Sequence, residues 1–261
     1  MSLLTKQAFL KKMSAGESLI NYDLSDLALH NEKLMNVNLR GLYLVRVILN
    51  GANLTGANMS GANLSEGSFR GTELYNADLS NAKLHNANLC RADLSRADLN
   101  GADLSRANLT SARAMRTNLS NADMTESILN KTFLQAAILS HANLRKCHVS
   151  EANLKNADLR GADLSDANLS NADCSGADFS GADLSRATFA HSSLKGAKFK
   201  GAILLGTILS DSDLSEAKLR DVDMTSVLLH GTKLRKYDLV GVKYSSTQLR
   251  DMIVLASYEV K

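Results

Sequence analysis

The sequence predicts an all-β solenoid, a chain wound into stacked coils around one aliphatic core. Three observations predict it. Apolar residues, nearly all of them large, fall on every number ending in 4 or 9 from Leu24 to Tyr244, which makes 45 repeats of five with no insertion. Two positions before these centres the residue is usually small, with Ala in 25 of the 45 places and Gly, Ser, Thr or Cys in another 10. The chain is 44% hydrophobic but only 5% aromatic, without Trp or Pro, so its core must be aliphatic and regular. A period of five belongs neither to a helix nor to a strand. Unbroken self-similarity at a short period is the mark of a repeat architecture.

Taken in order, residues 1–21 read as an N-terminal capping segment. "LTKQAFLKKM" (4–13) places Leu4, Phe9, Leu10 and Met13 on an irregular helical face. Residues 22–245 read as the uninterrupted array. Leu fills 34 of its 45 centres. A centre and the small residue two before it lie on one face of an extended segment, and the residue between them, usually Asp or Asn, points outward. The other two residues must turn a corner. Fourteen of the 15 glycines in the array stand two after a centre, where a turn can demand φ > 0. Asp, Asn and Ser beside them can hydrogen-bond the turn backbone. Coils that turn alike stack at strand spacing, and Ala with Leu fills an interior too narrow for Trp. Residues 246–261 read as a C-terminal cap helix and tail. Ser246 or Thr247 is the expected N-cap, before Leu249, Met252 and Ile253.

The segments "ADLSR" (92–96), "ANLSN" (167–171) and "ADFSG" (177–181) resemble the pentapeptide-repeat family. That resemblance implies a right-handed quadrilateral parallel β-helix with four repeats, or 20 residues, per coil, short helical caps at one or both ends, and about 11 coils in a rod of roughly 50–55 Å. It also implies a homodimer through the C-terminal end, where the tail "LASYEVK" could pair with another copy. Solenoid ends need caps because their open edges invite stacking.

Breaks in the pattern are the candidate functional positions. Ile128, Phe133 and Ile138 occupy outward positions in three successive repeats and predict a hydrophobic belt around one coil. Ile203, Leu205, Ile208 and Leu228 form a second outward apolar group, and Val45 with Ile48 a third. Contiguous exposed apolar residues mark partner sites more often than scattered ones do. Glu32 stands at a small-residue position, and Tyr22, Leu27 and Leu42 are also large there, which predicts wide, irregular first coils. Ala114 replaces a centre Leu, with a small cavity or a slip that turns Met115 inward as the expected consequence. Arg96, Arg113 and Arg116 are expected on one face, with Arg91 and Arg106 near its corners. Lys195, Lys198, Lys200, Lys233, Arg235 and Lys236 make the C-terminal third basic. Interleaved acids make a solvated surface the expectation for both groups.

No chemistry is legible. G-x-S-x-G, Walker, H-E-x-x-H and C-x-x-C motifs are absent. Cys147 and Cys174 should be buried and Cys90 exposed, while His30, His148, His191 and His230 are too far apart to share a metal. Neither cofactor nor metal is expected. Three cysteines without paired spacing make no disulfide framework, and the N-terminus lacks the apolar stretch of a signal peptide, so a cytoplasmic protein is expected. No apolar run is long enough to span a membrane as a helix.

The reading is a non-catalytic scaffold for protein–protein interaction, its partner a protein of unknown identity. The resemblance supplies an alternative, a DNA-mimic regulator of gyrase or topoisomerase of the quinolone-resistance type. Such a mimic needs a dense anionic stripe and often carries loops, whereas this chain has a net charge of +3 and no insertion. The same near-balanced charge argues against nucleic acid as a partner.

Overall fold

The computed structural model describes residues 2–20 and 22–255. Parallel pairing holds one register throughout. Bridges join Asp23 to Tyr43, Ala28 to Ile48, and so on to Asp223 with Lys243, each residue to the one four repeats further on. Four five-residue repeats therefore close one coil, and each coil has four sides.

One repeat accounts for its own chemistry. In 92–96 the Ala92 N–H closes the preceding turn on Leu89 O (3.0 Å), and the Asp93 N–H donates to Thr72 O in the coil before (2.9 Å). The Leu94 and Arg96 N–H groups donate to Arg113 O (2.6 Å) and Met115 O (3.0 Å) in the coil after. The fifth donor, Ser95 N–H, reaches no carbonyl and is taken by Asp93 Oδ1 (3.0 Å). That is why the outward position favours Asp and Asn: a short side-chain acceptor completes the backbone inventory.

The corner residue two after the centre is left-handed at every turn from 26 to 221. Glycine fills fewer than a third of these corners, and the others include Arg96, Lys131 and Ala136. Non-glycine residues adopt this region at a cost of about 1–2 kcal/mol. All but Glu216 are held by two ladders, their own N–H to the next coil and the turn bond beside it, so the surrounding structure over-determines the strain.

Inside, centres and small residues form one continuous core. The buried hydroxyls of Thr72, Thr117, Thr132, Thr207 and Thr232 donate to centre carbonyls of the preceding coil (Leu49, Leu94, Leu109, Leu184 and Leu209) at 2.7–2.8 Å, so polar small residues are tolerated without loss. Phe179, Phe189 and Phe199 occupy centre positions in adjoining coils, with Phe179 and Phe199 stacked at 5.4 Å and Phe179 and Phe189 edge-to-face at 5.7 Å.

The ends keep the four-repeat register while changing the connection. Strand β1 (Ser2–Leu3) pairs in parallel with β2 (Tyr22–Asp23), and helix α1 (Lys6–Ser14) bridges them. Thr5 caps α1 by accepting from the Ala8 N–H. Phe9 enters the core, and Lys6 reaches out to Glu32. Glu32 is thus half-buried as the cap's ionic partner, while Leu27 and Leu42 fill small-residue places in the core. At the other end β3 (Lys233–Arg235) pairs with β4 (Ile253–Leu255) across helix α2 (Ser246–Asp251). The N-cap of α2 is Ser245, one residue before the expected Ser246, with Gln248 completing a capping box.

Two expectations are corrected. The array is interrupted within 22–245, because Lys236–Leu239 form a turn of 3-10 helix. Tyr237 is too large for the small-residue place and stands 61% exposed, while the buried Asp238 carboxylate accepts from the Arg235 and Glu216 N–H groups instead. At Ala114 no register slip occurs: Ala114 is buried, its N–H keeps the ladder bond to Phe133 O (2.7 Å), and Met115 faces outward. The tail expected to pair with a second copy lies, from residue 256, outside the described residues.

Candidate protein-interaction surfaces

The belt is real in sequence order but divided in space. Ile128, Phe133 and Ile138 sit in one coil on three successive faces, paired with Asn108, Arg113 and Asn118 on one side and His148, Asn153 and Asp158 on the other. Faces of a four-sided coil point in different directions, so one flat partner cannot cover all three. Ile128 is half-buried, whereas Phe133 and Ile138 are 45% and 42% exposed on either side of one corner.

The second group forms a broader patch. Ile203 and Leu205 are more than half exposed at one corner, and Ile208 stacks on the exposed Leu228 across one strand spacing. Val45 and Ile48 are half-buried, beside an exposed Tyr43.

The corner between Phe133 and Ile138 belongs to a groove of about 400 Å³ that runs along the rod. Tyr75, Ser95, Met115 and Gln135 line it in four successive coils, together with Arg96 and Arg116. Arg96 lies over the Tyr75 ring at 5.8 Å. Sequence reading missed Tyr75, Ser95 and Gln135. Their signal is a recurrence every four repeats, visible only once the coil length is fixed.

The basic residues sort into paired and unpaired. Lys195, Lys198 and Arg235 each have a carboxylate partner, whereas Lys200, Lys233 and Lys236 form no ion pair among the described residues, so half of the basic C-terminal group is neutralised. Arg106 lies at a different corner from the other arginines and pairs with Glu126. Among the described residues Arg96, Arg113 and Arg116 form no ion pair; Arg113 lies one strand spacing below Phe133, and the other two line the groove beside it.

Among the described residues no group of three or more His, Cys, Asp or Glu side chains converges as metal ligands would. Burial pushes the Cys147 thiol up to about 11, and Cys174 is raised further by complete burial. Such thiols are poor nucleophiles. Cys90 is half-buried, where exposure was expected. Among the described residues no helix is long and apolar enough to cross a membrane.

The family model for pentapeptide repeats matches in overlapping segments that run without a gap from residue 33 to residue 243. The chain belongs to the pentapeptide-repeat family. Its architecture is that family's right-handed quadrilateral β-helix. HetL, a pentapeptide repeat protein involved in heterocyst differentiation regulation in Nostoc sp. strain PCC 7120, is 28% identical, covering 88% of this chain and 92% of its own, with a TM-score of 0.36. QnrB1, a plasmid-mediated fluoroquinolone resistance protein, is 24% identical over 87% of this chain and 95% of its own, with a TM-score of 0.35. A pentapeptide repeat protein of the Arabidopsis thaliana thylakoid lumen is 28% identical over 44% of this chain and 69% of its own, with a TM-score of 0.30. No curated protein matches the chain.

Proposed function

We propose that this pentapeptide-repeat protein is a non-catalytic scaffold that binds a protein partner through breaks in its outward pattern. One observation carries the reading. Phe133, Ile138, Ile203 and Leu228 are 42–57% exposed at outward positions where the repeat most often presents Asp or Asn. Exposed apolar side chains on a rigid rod are surface that a partner can desolvate. Elsewhere on the described surface Asp and Asn side chains such as Asp93 and Asn153 cap the turn N–H two residues on, which uses them as structural acceptors rather than as an acid–base pair.

Affinity capture from host lysate tests it. Wild type is compared with Ile128→Asp/Phe133→Asp/Ile138→Asp and with Ile203→Asp/Leu228→Asp, all checked for folding by circular dichroism. Loss of one captured protein in either variant supports the reading and locates the interface. Unchanged capture in both sinks it. The DNA-mimic alternative predicts inhibition of gyrase supercoiling by purified protein, and the charge of +3 opposes it.

A further inference from the structure

The corner groove carries a more specific assignment. In the standard repeat an Asp or Asn oxygen caps the turn N–H two residues on, as Asp93 does for Ser95. Three outward positions bordering the groove abandon this: Glu73, Arg113 and Phe133. The N–H groups of Tyr75, Met115 and Gln135 consequently have no acceptor among the described residues. At two other breaks the missing cap is replaced from the neighbouring coil: Asn130 Oδ1 caps the Ser150 N–H (3.0 Å), and Asn50 Oδ1 the Arg70 N–H (2.9 Å). Among the described residues turn N–H groups are also left uncapped elsewhere, at His85, Ser140 and Leu205 for example, but the groove sets three of them along one line beside two guanidiniums that have no carboxylate partner.

Two side-chain atoms in the same groove are also unpartnered. Ser95 Oγ is buried without a hydrogen bond. Its counterparts Ser80, Ser105 and Ser165 turn their hydroxyls onto the Asp two residues back at 2.5–2.6 Å. Gln135 Oε1 is likewise buried and unpaired. Leaving donors and acceptors unmet costs stability. Arg96 and Arg116 add two cations without carboxylate partners, and Phe133 and Ile138 add an apolar shoulder.

We propose that this groove docks an acidic peptide segment of a partner protein, whose carboxylates take the place of the absent repeat Asp and Asn oxygens. The assignment rests on the scaffold reading and names the partner's chemistry. Backbone N–H groups and two guanidiniums are all donors, and they lie along one strip, with the Ser95 hydroxyl buried beneath it. Carboxylates accept from such donors with charge-assisted bonds, often bidentate from Arg. An extended peptide also offers an apolar side chain to Phe133 and Ile138. A nucleic-acid strand also supplies anionic acceptors but carries no aliphatic side chain to set against Ile138, and Asp93 and Asp98 on the flanks limit the charge either ligand can place there.

The test is fluorescence anisotropy with an array of labelled ten-residue peptides, each carrying four Glu or Asp around one Leu or Phe. Gln-for-Glu and Asn-for-Asp versions serve as controls. Wild type is expected to bind the acidic peptides and not the amide controls, less tightly as salt rises. Arg96→Gln/Arg116→Gln should weaken binding about tenfold or more. Arg113→Asn/Phe133→Asn restores the repeat's own caps, so it should lose peptide binding while melting at the same or a higher temperature. A merely structural role for these residues predicts no gain on restoring the caps. Absence of acid-dependent binding overturns the proposal, as does binding retained in both variants. Tighter binding of a labelled single-stranded oligonucleotide than of any peptide also overturns it. If lysate capture depends on Ile203 and Leu228 while the groove variants behave as wild type, the scaffold reading stands and the groove falls.

Discussion

Ala114 shows what one side chain contributes to the rod. Its column of centres, one to each coil, reads Leu74, Leu94, Ala114, Leu134 and Leu154, all buried. The backbone continues through Ala114 without a slip, so the missing side-chain carbons are a loss of apolar contact rather than a change of path. Ala114→Leu should therefore stabilise the protein by about 1–2 kcal/mol, well below the full Leu-to-Ala penalty because neighbours already close part of the space. Urea denaturation followed by circular dichroism measures it. A lower midpoint would mean that the coil at 114 is already fully packed.

At the scale of the repeat, the turn and its carboxylate set two further expectations. Ala136 is left-handed (φ 54) and its methyl contributes no core contact. Glycine removes the strain but costs unfolded-state entropy, so Ala136→Gly should raise stability by about 0.5–1 kcal/mol, the reverse of its effect in an ordinary strand. Thermal melts decide the sign. The outward carboxylates set the pH response. Hydrogen bonds from the Arg160 guanidinium hold Asp158 below its ordinary value, the Thr225 hydroxyl and N–H do so for Asp223, and Arg46 does so for Asp26. Groups with depressed folded values stabilise fully above their unfolded value of about 3.9, and that contribution is lost as pH falls through the folded values. The urea midpoint should stay level between about pH 5 and 7 and fall below about pH 4. A midpoint that rises on acidification would reverse the assignment.

The repeat was also what made this fold legible before any coordinates. Leu, Ala and the outward Asp or Asn each repeat their environment, so position alone predicts burial for Leu94 or Ala92. The five-residue period yields a coil but not its circumference, and so could not show that Tyr75, Ser95, Met115 and Gln135 share a groove. It also could not show that Ile128 and Ile138 point away from each other. Arg106 looked like a neighbour of Arg96 by spacing, yet it stands at another corner with Glu126. The 3-10 turn at 236–239 escaped because Leu239 keeps the centre spacing while Tyr237 and Asp238 change the path.

For the whole molecule, the decisive fact is that each bridge joins a residue to its counterpart in the next coil and to nothing more distant. Stability then grows with each stacked interface, and the two ends alone lack one. At the N-terminal end β1 supplies the missing rung through Ser2↔Tyr22 and Leu3↔Asp23, Phe9 covers the core, and Lys6 ties the helix to Glu32. Removing residues 1–20 strips all three at once. The ion pair, exposed on its Lys6 side, matters little. The bare rung and the uncovered Leu24 and Leu27 matter more, because an open edge of parallel backbone is a template for another copy. The truncated protein should keep the far-ultraviolet spectrum of its remaining coils and self-associate end to end in sedimentation velocity, with the effect growing with concentration. Wholesale unfolding of the truncated chain would instead make α1 a folding nucleus for the entire rod, and a stable monomer would show that the first coil closes its own end.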